Sequence, residues 1–365
     1  MKRTLTSVAK WDASRAYWKI NVQKEGTRRS FYESTPGRRG KALCEAKAIE
    51  WLDSKSVIDP RFEQAWNEFI DQKKKEVSKT YIIEITSFGR TWLLPALEKR
   101  RLSTITSMDF QRLIDKMADA GRAKKTIKDL LAVVSAFAKF CRKNRYEFET
   151  PEDLSIKGKP KKEKRILTRA DIATIFNDNT TTDHAAVIPE HYIHAFRLCI
   201  ITGERRGEIA GLKWSDVSED RISIERSINR INDETPGKTE NAQRTIPISS
   251  VIRQELDAQR EYLKTVGIIS PWIFPDIYGN CSKPDNLYRH WIHYCDVHEI
   301  PKTTFHEIRH TSISLYKNDM PEELIKRLAG HSESMDTFGV YGHETEGDLD
   351  RTREIMDAVM KSLIS

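Results

Sequence analysis

Phe305-His306-Glu307-Ile308-Arg309-His310 is the stretch on which the reading of this chain turns. His306 and Arg309 stand three apart, so a helix projects them from one face. After it come Leu328-Ala329-Gly330-His331 and Val340-Tyr341-Gly342-His343, so that a second histidine and a tyrosine follow within 35 residues of His306, with Gly330 suited to a turn before His331. Another arginine lies upstream in Thr202-Gly203-Glu204-Arg205-Arg206-Gly207-Glu208, where Arg206 competes with Arg205 for the same role. Two guanidiniums, two imidazoles and a phenol suit chemistry on a phosphodiester. Arginine grips phosphate oxygens in a bidentate fork, and a tyrosine hydroxyl can act as nucleophile.

Attack on a phosphodiester builds five-coordinate phosphorus with two charged equatorial oxygens, so fixed cations must meet that charge as it forms. Arg205 and Arg309 are the expected cations, with His331 donating a further hydrogen bond. Tyr341 is the expected nucleophile. A free phenol has a pKa of ~10 and is scarcely ionised at neutral pH. His306 is therefore expected to accept its proton, and Lys238, on a loop between strands, to protonate the departing 5′ oxygen. The product is a 3′-phosphotyrosyl bond that conserves the energy for rejoining, with no metal and no cofactor expected. Each residue alone is an ordinary occurrence in a chain with eleven tyrosines and many exposed lysines; order and context give the set its meaning. Tyr316, on the histidine–arginine helix, is expected to serve packing.

The 365 residues suit two or three domains. A net charge of +7 permits nucleic-acid binding. Its distribution says more: residues 1–60 carry 13 Lys+Arg against 7 Asp+Glu, nearly the whole surplus. No apolar run reaches the ~18–20 residues of a membrane span, and Met1–Ser7 leads into no apolar signal region. The five cysteines are scattered without a CxxC pair, which points to a reducing cytoplasm. Cys281, Cys295 and His298 do not have a recognised metal spacing and read as packing.

Residues 1–57 read as a small sheet with one helix. Trp18, Ile20 and Val22 alternate with Lys19, Asn21 and Gln23 on a half-buried strand. Lys24–Thr27 should turn the chain into a second strand from Arg28 to Ser34. A helix from about Lys41 should bury Ala42, Ala46, Ile49 and Leu52. Arg28, Arg29, Arg38, Arg39 and Lys41 then face outward as candidate DNA contacts. Residues 58–150 read as all helix, the clearest stripe being Ile127, Leu130, Leu131, Val134, Phe137, Ala138 and Cys141. Thr106 or Ser107 should cap the helix holding Phe110. Lys124 and Lys125 open the long helix and suit phosphate contacts. Residues 151–165, with Lys161 and Lys162, read as a basic flexible linker that could also track a DNA backbone. In residues 166–365, Thr168 should cap a helix, His191–Thr202 should form an apolar one, and Ile222–Asn229 should pair with Arg244–Ile248. Helix resumes from about Asn286 and ends in an amphipathic helix over Thr345–Ser365. The expected class is multidomain α+β.

The whole set, in this order, resembles the tyrosine recombinase family, the lambda-type phage integrases and their relatives in conjugative elements. Thr202–Ile209 followed by Leu212-Lys213-Trp214-Ser215-Asp216-Val217 is similar to the family's first arginine box. Lys238-Thr239 before Arg244–Ile248 is similar to its β-hairpin lysine, and Phe305–Thr311 to its second box. Leu328–Ser332 and Thr337–His343 resemble the last two segments, although Tyr341 follows His331 at ten residues where members often have nine. The resemblance implies an arm-site binding domain (1–57), a helical SAM-like core-site binding domain (58–150) and a mainly helical catalytic domain with a small antiparallel sheet (166–365). It implies a site-specific integrase that works as a homotetramer on double-stranded DNA, with a terminal helix docking on a neighbouring subunit. DNA-bending and excision-directionality proteins could accompany it in a bacterial cytoplasm, at the nucleoid. A chromosome- or plasmid-dimer resolvase of the same family, a type IB topoisomerase and a non-catalytic DNA-binding regulator are the alternatives.

Overall fold

The computed structural model describes residues 7–24, 27–53, 58–160, 164–236, 243–330 and 347–364. The chain divides into two compact units, Met1–Lys161 and Lys162–Ser365. Lys161 and Lys162 themselves lie outside the described residues, as do Lys238, His331 and Tyr341.

In the first unit β1 (Lys10–Asp12), β2 (Tyr17–Lys24) and β3 (Thr27–Glu33) form an antiparallel sheet, with Ile20 opposite Phe31 and Val22 opposite Arg29. The period-2 pattern holds, since Ile20 and Val22 are buried and Asn21 and Gln23 exposed. α1 (Gly37–Asp53) starts earlier than its apolar residues suggest and buries another stripe: Gly40, Cys44 and Ala48 go inward, while Ala42 and Ala46 are exposed. Small residues win this face because the helix lies close on the sheet. A Cβ on Gly40 would fall 1.6 Å from the Thr35 carbonyl oxygen, and the Cys44 thiol donates to the carbonyls of Trp18 and Phe31 at 3.5 Å each. Arg28, Arg29, Arg38 and Arg39 are exposed and Lys41 is half-buried.

The same unit holds a second core built from helices: α2 (Phe62–Glu76), α3 (Lys79–Phe88), α4 (Leu94–Leu97), α5 (Ser107–Asp119) and α6 (Lys124–Lys143). A wide turn, Gly89–Leu93, joins α3 to α4. Only glycine suits position 89, where a Cβ would stand 2.6 Å from the Trp66 indole. Thr106, rather than Ser107, is the cap of α5, its backbone N–H and its hydroxyl both donating to the Asp109 carboxylate. Ile127, Leu130, Val134, Phe137 and Cys141 are buried along α6, and Lys124 and Lys125 at its start are exposed.

The connector is less free than its composition suggests. Leu154 and Ile156 pack on the helical core, Gln111 holds both backbone groups of Ser155, and Lys159 pairs with Ala123. Two apolar side chains among the lysines are enough to pin residues 151–160 to the bundle.

The second unit comprises α7 (Arg169–Asn177), β4 (Thr180–Asp183), β5 (Ala186–Pro189), α8 (Ile193–Thr202), α9 (Arg206–Ala210), β6 (Arg221–Ile224), β7 (Ser227–Ile228), β8 (Glu234–Thr235), β9 (Arg244–Pro247), α10 (Ser250–Thr265), α11 (Pro284–Val297), α12 (Phe305–Tyr316), α13 (Glu322–Ala329) and α14 (Asp348–Ile364). All ten residues of α8 are buried, as an apolar helix requires when other elements surround it. Its one arginine, Arg197, is satisfied by the Ile175 carbonyl at 2.8 Å and lies over the Phe176 ring. β6 and β9 pair antiparallel, Ile222 opposite Ile246. Tyr316 is fully buried and donates to the Ile201 carbonyl at 2.7 Å, a packing role as expected. α14 seats Met356, Met360 and Leu363 in the core of its own unit. Among the described residues no helix is long and apolar enough to cross a membrane.

Candidate active site

Two helix ends and one helix face bring the arginines together. α8 stops at Gly203, in the left-handed region at φ +68°, and α13 stops at Gly330, at φ +62°. Each turn leaves a carbonyl for an arginine. Arg309 Nη1 donates to Gly203 O at 2.9 Å, and Arg205 Nη2 donates to Gly330 O at 3.1 Å. The second of these contacts sets the Arg205 guanidinium at the C-terminal end of α13.

Glu208 organises this corner from below. Buried at 3 % exposure, it accepts from the Arg205 backbone at 2.9 Å, from Arg205 Nη1 at 2.7 Å and from Arg244 Nη2 at 2.9 Å. Burial alone would raise its pKa, but Arg244 and Arg205 together hold it below the ordinary carboxylate value. Arg244 also donates to Leu328 O at 2.8 Å, tying β9 to α13. Glu208 and Arg244 therefore belong to the site's framework, although the sequence reading gave neither a role. Arg244 heads a short strand and Glu208 lies within the first arginine box, but only the fold pairs them.

Arg309 is 2 % exposed, and its Nη2 has no hydrogen-bond partner among the described residues. Burial, then Arg205 and Arg244, push its guanidinium down to about 10, still charged at neutral pH. A buried, charged donor without an acceptor is costly, and an arriving anion would supply one. His306 is exposed one helical turn before Arg309, with the His310 ring 4.6 Å away. Partial burial, then Lys164, Arg309 and Arg205, lower the His306 pKa, which leaves its imidazole neutral and able to accept a proton. The end of the connector is pinned alongside: Lys164 reaches His310, the Arg165 backbone donates to Glu307, and the Leu167 backbone donates to Thr311. Arg205, Arg206, Gly207, Tyr288, Thr304, Phe305, His306 and Arg309 line an open cleft of about 490 Å³.

Of the expected catalytic residues, Arg205, His306 and Arg309 thus share one cleft. All five cysteines are free, and among the described residues no three His, Cys, Asp or Glu side chains gather as a metal site.

Glu204 beneath the site is fully buried. One carboxyl oxygen accepts from Thr202 Oγ1 at 3.1 Å and the other has no partner among the described residues, and burial pushes its pKa up to about 8. The folded chain therefore keeps a proton here that the unfolded chain loses above its ordinary value of 4.5. Stability should fall as pH rises from about 4.5 to about 8, by a few kcal/mol at ~1.4 kcal/mol per unit. Glu204→Gln should flatten that slope, the variant gaining on the parent in denaturant unfolding between pH 5 and pH 8.5. Parallel stability curves would contradict the assignment.

Comparison with known proteins follows the same division. The profile of the Phage integrase family matches residues 165–347, and that of the phage integrase N-terminal SAM-like domain matches residues 61–118. A tyrosine recombinase XerC-like protein of Caldanaerobacter subterraneus subsp. tengcongensis is 27 % identical over 273 residues, covering 67 % of this chain and 68 % of that one. In fold, the chain is similar to the Tn1549 transposon integrase in complex with transposon right end DNA, with TM-score 0.63, 19 % identity, and coverage of 82 % and 100 %. It is also similar to a lambda integrase tetramer bound to a Holliday junction, with TM-score 0.60, 16 % identity, and coverage of 90 % and 97 %.

Proposed function

We propose how this chain, which belongs to the phage integrase family and is a tyrosine-type site-specific DNA recombinase, divides the work of strand transfer among its residues. The observation that carries the assignment is Arg309, buried and charged with a donor unpartnered among the described residues, sharing a cleft with Arg205 and His306. The two guanidiniums hold the non-bridging oxygens of the scissile phosphate as charge builds on them. Tyr341 Oη forms a bond to phosphorus while the bond from phosphorus to the 5′ oxygen breaks. The phenol proton passes to His306, whose pKa is lowered by partial burial and then by its cationic neighbours, and Lys238 supplies a proton to the leaving oxygen. His331 donates to the same phosphate oxygens. The DNA is left with a 3′-phosphotyrosyl linkage and a free 5′ hydroxyl, and the reverse attack by another 5′ hydroxyl joins the exchanged strand.

The exposed arginines of the N-terminal sheet and helix, Arg28, Arg29, Arg38 and Arg39, with Lys41, bind arm-site DNA. Lys124 and Lys125 contact the core-site backbone, with Lys161 and Lys162 of the connector alongside. The active species is a tetramer on DNA in a bacterial cytoplasm, associated with the nucleoid and assisted by bending and directionality proteins. The extra N-terminal sheet favours a mobile-element integrase over a dimer resolvase.

Purified protein mixed with a nicked duplex carrying its own attachment site should form a detergent-resistant adduct. Binding without an adduct would point to a regulator, and relaxation of supercoiled plasmid lacking the site to a topoisomerase. Deleting residues 1–57 should weaken arm-DNA binding and spare nicked-site cleavage; loss of both would contradict the domain roles.

A further inference from the structure

We propose that Arg206 is a third phosphate-binding cation of the cleft, holding a DNA phosphate beside the one met by Arg205 and Arg309, and that Asp285 occupies its guanidinium until DNA displaces it. The inference rests on the recombinase reading above. Arg205 and Arg206 are neighbours in the chain and line the same cleft, but they are held differently. Arg205 is bound to the buried Glu208, whose other bonds keep it in place. Arg206 turns instead toward α11, where its Nη2 lies 3.1 Å from Asp285 Oδ1 and its guanidinium sits over the Tyr288 ring, 5.7 Å from the centroid.

The Asp285 side chain is 68 % exposed and that of Arg206 30 %. An exposed carboxylate with one such contact is readily exchanged, because solvent screens the pair and replaces the partner. A phosphodiester presents the same geometry of two charged oxygens to the fork. Tyr288 is what makes the exchange specific to this place. Its ring also lines the cleft and keeps the planar guanidinium oriented there whichever anion is bound. Glu208 is thus a permanent partner of its arginine, and Asp285 a temporary one.

Binding of the full chain to a duplex carrying its own core site, measured over a salt series, tests this. Arg206→Ala should weaken binding and lower the log–log salt slope by roughly 0.9, the value for one phosphate contact. Asp285→Asn should tighten binding several-fold, and that gain should vanish when Arg206 is also alanine. Tyr288→Phe should bind like the parent, and Tyr288→Ala more weakly. An unchanged slope in Arg206→Ala, or tightening by Asp285→Asn that survives without Arg206, would overturn the proposal. Adduct formation on the nicked duplex separates the two levels. If the parent forms no adduct, the recombinase reading itself fails. If the parent forms it and the Arg206 slope is unchanged, only the role of Arg206 is lost.

Discussion

Tyr341→Phe should yield no covalent adduct on a nicked site duplex, while affinity for that duplex stays within about twofold of the parent. The phenyl ring keeps the bulk and removes only the attacking oxygen, so no other group can inherit the reaction at a comparable rate. The cleft narrows the alternatives. Tyr316 is sealed in the core, with burial pushing its hydroxyl pKa far up and the Ile201 carbonyl accepting its hydrogen bond. Tyr288 lines the cleft with its ring under the Arg206 guanidinium. An adduct of normal yield from the phenylalanine chain would move the nucleophile elsewhere. Tyr288→Phe would then be the next variant to assay.

Arg309→Ala should slow cleavage by roughly 10²–10³-fold, the range for one lost transition-state donor, with a smaller loss of ground-state binding. The size of the effect follows from burial. An exposed arginine facing phosphate is largely screened by water, whereas Arg309 meets its ligand from a position nearly closed to solvent. Arg309→Lys should recover only part of the rate, since an ammonium offers a point charge where a fork is needed. The Gly203 carbonyl would also lose the donor that fixes it. Single-turnover rates at saturating protein separate the chemical step from binding. Near-parental cleavage by the alanine variant would remove Arg309 from the reaction.

Much of the fold was legible because its elements are set locally. The Thr168–Asp171 cap, the apolar α8 and the stripe of α6 follow from residue spacing alone. So does the alternation of β2, because one face is buried. What escaped depends on distant partners. The β4–β5 hairpin has no apolar alternation, with Val187 and Ile188 exposed, and it is held from outside. His293 of α11 and His298, the residue just after it, reach the carbonyls of Thr182 and Thr180 at 2.7 and 2.8 Å. The buried face of α1 was misjudged because close approach to the sheet outweighs residue size. The cleft divides the same way: Arg205, His306 and Arg309 could be picked from order and spacing. The Glu208–Arg244 pair, which holds them, needs two segments 36 residues apart to meet.

The central claim is that a tyrosine oxygen becomes bonded to the 3′ phosphate of cleaved DNA. Digesting the trapped adduct and sequencing the DNA-linked peptide by mass spectrometry tests it most directly. The account predicts one modified peptide, containing Tyr341 and carrying a 3′-linked nucleotide. Linkage through any other residue, or through a 5′ phosphate, would contradict it.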